Sequence, residues 1–195
     1  MLEPILNSKA KIKILRFLVN RPKWIFIESE IARELFIPRT TAHRVLKELR
    51  DQNIIKEIKK GKKVIICQLN KSNYIVKELL VPLFQKEYKL PIEKARRFCK
   101  KMGKLIKVGI VFGSAAEGKM QPTSDIDIAL ITNKPKETEA EADELKKKFL
   151  EEEGIIFSSH IFSVKDFKKR YSIRDPFIKE VANGIVIFGN IEEVI

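Results

Sequence analysis

Two short runs in the second half of the chain carry residue types that handle phosphate and metal. Gly113-Ser114 closes the apolar run Leu105 to Phe112, and ten residues later Asp125-Ile126-Asp127 heads a second apolar run reaching Ile131. In an extended strand alternate side chains share a face. Asp125 and Asp127 are therefore expected on one surface, with Ile126, Ile128 and Leu130 turned to the core. Two adjacent carboxylates make a hard-oxygen site that suits Mg2+ or Mn2+, with substrate phosphates completing the shell. Without a cation the pair would repel each other and any nucleotide. Gly113 lets the backbone come close to a phosphate, and Ser114 offers a hydroxyl and an N–H where a helix is expected to begin. Gly118 supplies a second permissive point in the loop. An isolated Asp-x-Asp more often just caps or solvates a sheet edge. The Gly-Ser turn ahead of it is what points to phosphate chemistry.

The elements that must position these residues follow from periodicity. Leu105–Phe112 and Ser124–Ile131 read as strands, Glu137–Glu153 as a helix of mixed charge, Gly154–Ser163 as a strand, and Ile185–Phe188 as a last strand. About four strands with helices between them make a small mixed sheet.

Gly113-Ser114, the ten-residue gap and Asp125-Ile126-Asp127 together resemble the signature of the DNA polymerase beta-like nucleotidyltransferase superfamily, closest to its minimal nucleotidyltransferase branch. Asp175-Pro176-Phe177 through Asn183-Gly184 to Gly189 is similar to that branch's closing helix and strand. The resemblance covers residues 105–190. It implies Mg2+-dependent transfer of a nucleoside monophosphate from a nucleoside triphosphate (NTP) to an acceptor hydroxyl on a protein or nucleic acid, with release of pyrophosphate. It further implies Asp125 and Asp127 as the catalytic, metal-holding pair and Gly113 and Ser114 as the nucleotide-binding turn. One departure stands out. The family's active members carry a third acidic residue on a later strand, and here Gly154–Ser163 holds no Asp or Glu. Glu153 and Asp166 lie just outside that strand. His160 lies inside it, as a structural histidine or as a neutral metal ligand or base. Loss of that carboxylate leaves a second function class open, a regulator whose degenerate back domain only binds or senses nucleotide. The branch's antitoxin role is a third, by analogy alone.

The front of the chain has a different character. Ser8–Asn20, Glu28–Leu35 and a run from Pro38 to about Gln52 read as three helices, with Asn7 or Ser8 placed to cap the first and Arg21-Pro22 ending it. Trp24–Ile27 is a short apolar run. In the third helix Ala42, Val45, Leu46 and Leu49 form the buried stripe. Ile54–Ile58 and Val64–Leu69 read as a hairpin whose tip, Lys59 to Lys63, turns at Gly61. This order over residues 8–70 strongly resembles the winged helix-turn-helix DNA-binding family. The resemblance implies that the third helix enters the major groove. Arg39, Thr40, Thr41, His43 and Arg44 would then reach bases or phosphates, and Lys60, Lys62 and Lys63 would grip phosphate beside it.

Charge supports two modules with different partners. The net charge is +13. Residues 1–72 hold 17 Lys and Arg against 7 Asp and Glu, residues 73–104 hold 9 against 3, and residues 105–195 hold 13 against 16. A concentrated positive field attracts polyanions, nucleic acid first among them. The expected layout is a winged helix DNA-binding domain at 1–72, connecting helices at 73–104 broken by Pro82 and Pro91, and a nucleotidyltransferase-like α/β domain at 105–195. The whole is of α+β class. Two cysteines and two histidines exclude a disulfide framework and a Cys/His zinc site. No apolar run nears the ~20 residues of a membrane span, and Asn7, Ser8, Lys9 and Lys11 interrupt the N-terminus as no leader would. A cytoplasmic setting is expected, with NTP and DNA as partners, no membrane, and pairing into a homodimer that reads two half-sites.

Overall fold

Ser8 starts the first long helix by accepting the Lys11 N–H at 3.2 Å, which satisfies a donor that the helix itself leaves open. The computed structural model describes residues 1–21, 26–60, 64–120 and 124–195, with the backbone alone for 58–60 and 64–66. The chain divides into two compact units, Met1–Glu87 and Tyr88–Ile195.

The first unit runs α1 (Glu3–Leu6), α2 (Lys9–Asn20), β1 (Phe26–Ile27), α3 (Glu28–Glu34), α4 (Arg39–Asp51), β2 (Ile55–Lys60) and β3 (Val64–Leu69). Its three strands lie in the order β1-β3-β2, all antiparallel, with Phe26 opposite Cys67 and Lys60 opposite Val64. Pro38 was expected in the first turn of α4 and stands instead at its N-cap, extended at ψ 139°. Its carbonyl accepts the Ala42 N–H at 3.0 Å, so the proline serves as the starting acceptor and its missing N–H is never needed. Ala42, Val45, Leu46 and Leu49 are all fully buried, as their spacing requires. Two ion pairs orient α4. Lys11 on α2 reaches Glu48 at 2.8 Å, and Arg50 reaches Glu57 on β2 at 2.6 Å. The Lys11 ammonium, followed by Arg44, holds the Glu48 carboxyl below its ordinary range. The turn expected at Gly61, with Lys62 and Lys63, lies outside the described residues, as does Trp24.

The connecting stretch corrects an expectation. It is not broken into separate helices. A π-helical turn, Val76–Leu80, runs into α5 (Val81–Met102), with Pro91 inside the helix. Asn73 Oδ1 caps the start by accepting the Ile75 N–H at 2.8 Å. The wide turn gives the Val76 carbonyl the Val81 N–H as its donor, so the chain passes Pro82 without leaving the helical path. At Pro91 the bond lost is to the carbonyl of Glu87, in a stretch exposed at every residue from 85 to 90, where water can satisfy it.

The second unit continues with β4 (Val108–Val111), α6 (Gly113–Ala116), β5 (Ile126–Thr132), α7 (Pro135–Glu153), β6 (Phe157–Ser163), α8 (Val164–Ser172), α9 (Pro176–Ala182) and β7 (Ile185–Phe188). The strands lie in the order β6-β5-β4-β7. β5 and β6 are parallel and the other pairs antiparallel, a small mixed sheet. A parallel pair needs a long crossover, and α7 is that crossover. β5 is buried on both faces. Ile126, Ile128 and Leu130 pack with Phe98, Phe149 and Phe157, while Ala129 and Ile131 pack with Phe162, Phe167 and Ile178. β4 is shorter than expected. Residues Gly103–Leu105 form a 3-10 turn, and the Thr132 hydroxyl takes the Leu105 carbonyl, which is thereby lost to the strand ladder. Gly109 has no room for a side chain, because a β-carbon there would collide with Cys99 Sγ. Burial pushes both thiols, Cys67 and Cys99, up to about 12, far from a reactive thiolate. Among the described residues no helix is long and apolar enough to cross a membrane.

Asp175 caps α9 by accepting the Phe177 and Ile178 N–H groups at 3.0 and 3.1 Å. The Ile178 N–H, with Arg170 and Phe177 behind it, holds this carboxyl below its ordinary value. A lowered folded value means the cap contributes stability above the unfolded carboxylate range and loses it as pH falls through the lowered value. Asp175→Ala should therefore melt at a lower temperature than wild type at pH 7, and the two melting curves should converge as the pH falls through the lowered Asp175 value, below the ordinary carboxylate range.

Candidate functional site

The register of β4 against β5 decides where the chain turns. Val111 lies opposite Ile128, and the Phe112 N–H donates to the Asp127 carbonyl at 3.2 Å. Gly113 then departs directly beside Asp127. Gly113 adopts φ +63°, and Asp127 Oδ2 lies 2.8 Å from where a β-carbon at residue 113 would sit. The position thus calls for glycine twice, once for the left-handed backbone and once for the carboxylate packed over it. Ser114 follows, half-buried, in the four-residue helix α6. Its carbonyl accepts the Lys119 N–H at 2.9 Å. Gly118, at φ +68°, packs under the ring of Tyr88.

Asp127 is half-buried within β5. Asp125 is exposed and lies ahead of the strand. The expectation that both carboxylates belong to one strand is corrected here. β5 begins at Ile126, whose N–H donates to the Ile156 carbonyl at 2.9 Å, and beyond that point β6 offers no further partner.

The neighbouring strand shows what lies alongside. In the parallel register Asp127 pairs with Ser158 and Ala129 with His160, so Ser158 and His160 share the face of Asp127. The His160 ring lies 5.3 Å from Phe112 and 5.3 Å from Phe177, and its Nε2 is 3.4 Å from Ser158 Oγ. Glu153 is engaged elsewhere, with Lys94 and Arg97 on α5. Asp166 lies in the first turn of α8, 3.9 Å from Arg170. Among the described residues no group of three His, Cys, Asp or Glu gathers as a metal site. The two carboxylates on their own fit a hard divalent ion that takes its remaining ligands from phosphate and water, because they are oxygen donors at the solvent edge of the sheet. Ser158, Phe112 and Phe177 escaped the sequence reading. The period-two spacing of Ser158, His160 and Phe162 was the available signal for the first.

On the first unit, Arg39, Thr40, His43 and Arg44 of α4 are exposed and Thr41 is half-buried. Two of them have carboxylate partners: His43 Nδ1 is 3.1 Å from Glu28 and Arg44 is 2.9 Å from Glu48. Lys60 ends β2, while Lys62 and Lys63 lie outside the described residues.

Residues 92–183 match the family model of a nucleotidyltransferase domain. The matched stretch contains Gly113, Ser114, Asp125, Asp127, Ser158 and His160. It supports, in general terms, transfer of a nucleoside monophosphate from an NTP substrate. No curated protein matches the chain.

Gly113→Ala should displace the Asp127 carboxylate and strain the turn by about 1–2 kcal/mol. The expected outcome is a folded variant with a lower melting temperature and weakened binding of a fluorescent NTP analogue. Undiminished binding would show that the packing of Asp127 on residue 113 is unimportant.

Proposed function

We propose that the second unit is a Mg2+-dependent nucleotidyltransferase acting on a protein or nucleic-acid hydroxyl, and that the first unit is a winged helix that binds DNA. The observation that carries the first reading is the Asp127 carboxylate packed against the Gly113 turn, with Asp125 exposed two residues earlier in the chain. Asp125 and Asp127 would hold Mg2+ (or Mn2+), which when bound polarises the α-phosphate and stabilises the leaving pyrophosphate. The chain's own part is positional. Gly113 brings backbone close to the triphosphate, and the Ser114 hydroxyl and N–H donate to its oxygens. β4, which leads into the Gly113 turn, and β5, which carries Asp127, are buried on both faces, so the turn and that carboxylate are held in place before substrate arrives.

A second reading has its own support. β6 carries no carboxylate, and a site that binds nucleotide without fast transfer would make the chain a DNA-binding regulator that senses nucleotide. DNA binding itself is supported by the exposed face of α4 and by 19 Lys and Arg against 9 Asp and Glu in residues 1–87. Arg39, Thr40, Thr41, His43 and Arg44 would read the groove and Lys60, Lys62 and Lys63 the phosphates, with two copies spanning two half-sites.

Asp125→Asn and Asp127→Asn should each abolish Mg2+-dependent NTP binding while leaving the far-UV circular dichroism intact. Wild-type affinity in either variant would refute the site. Arg44→Ala combined with Lys62→Ala should weaken DNA binding and make its log–log salt dependence shallower by about 1–2. An unaltered slope would reject the surface.

A further inference from the structure

We propose that Ser158 is itself a nucleotide acceptor, so that the chain modifies its own β6 strand, with His160 taking the proton. This deepens the nucleotidyltransferase reading and rests on it. Three observations converge. Ser158 is the register partner of Asp127 on the adjoining parallel strand, about 5 Å away, and both side chains leave the same face. Ser158 Oγ lies 3.4 Å from His160 Nε2, within the looser reach that a serine–base pair shows before substrate binds. The His160 ring packs against both Phe112 and Phe177, whose own rings lie 5.6 Å apart, and this three-ring cluster fixes the imidazole on the strand next to β5. A hydroxyl with a base behind it therefore stands beside the carboxylate that would hold the metal. Ser158 is half-buried, so its hydroxyl is not sealed in the core.

The step balances without a further reactant. Ser158 Oγ attacks the α-phosphorus of the NTP and the Oγ–P bond forms. The bond from that phosphorus to the bridging oxygen breaks, and pyrophosphate leaves with the electron pair. The Ser158 proton passes to His160 Nε2.

The test incubates the full chain with each of the four α-labelled NTPs and Mg2+, then locates label by peptide mass spectrometry. One nucleoside monophosphate is expected on Ser158. Ser158→Ala should lose that label and keep NTP binding. His160→Gln should slow labelling by about 100-fold at unchanged NTP affinity. Ser159→Ala, on the opposite face beside α7, should label normally and serves as the folding control. NTP binding that depends on Asp127, with no label on Ser158 from any NTP, overturns the proposal and leaves the nucleotidyltransferase reading standing. No NTP binding at all overturns both. Equal labelling in wild type and His160→Gln overturns the role of His160.

Discussion

A carboxylate oxygen of Asp127 fills the space that any side chain at residue 113 would need. That single contact sets demands on everything around it. It goes with a glycine at the turn, where the left-handed backbone would by itself strain any other residue, and with the β4–β5 register that puts Phe112 beside Asp127. The register holds in turn because β5 is buried on both faces. A one-residue slip would carry Ile126, Ile128 and Leu130 away from Phe98 and Phe157 and drive them toward Phe167 and Ile178, into a cluster already filled. The sheet end that carries the site is therefore held by apolar packing on both faces of β5.

The same division of labour appears in the first unit. Lys11–Glu48 and Arg50–Glu57 tie α4 to α2 and β2. The apolar stripe of α4 is fully buried, which leaves its opposite face to carry Arg39, Thr40, His43 and Arg44 into solvent. Glu28, within hydrogen-bonding distance of His43, and Glu48, paired with Arg44, restrain two of those side chains. A polyanion arriving there would have to displace carboxylates from His43 and Arg44, an exchange of one anionic partner for another at a partly exposed surface, where such pairs contribute little.

Much of this was legible in the residues because it depends on local pattern. Ala42, Val45, Leu46 and Leu49 announce the buried side of a helix at a 3.6-residue period, and Ile185–Phe188 announces a strand. Gly113, Ser114 and the Asp pair were legible as chemistry from type and spacing alone. Pro91 misled, since a proline reads as a helix end while its cost depends on whether water can reach the carbonyl it strands. Asp125 misled in a smaller way. Whether a residue lies inside a strand depends on how far the neighbouring strand extends, and that is a property of β6.

The amino-acid order by itself determined two modules of unlike charge, most of the helices and strands though not α1 or α8, and the pair of motifs that face phosphate chemistry. These are short-range matters of period, capping and side-chain type. Only the tertiary structure decided that Asp127 rests on Gly113, that Ser158 and His160 stand beside it, and that Glu153 is drawn off to Lys94 and Arg97. Strand order and register join residues separated by tens of positions along the chain. They are selected by which apolar faces can be buried together, a choice made by the whole domain at once.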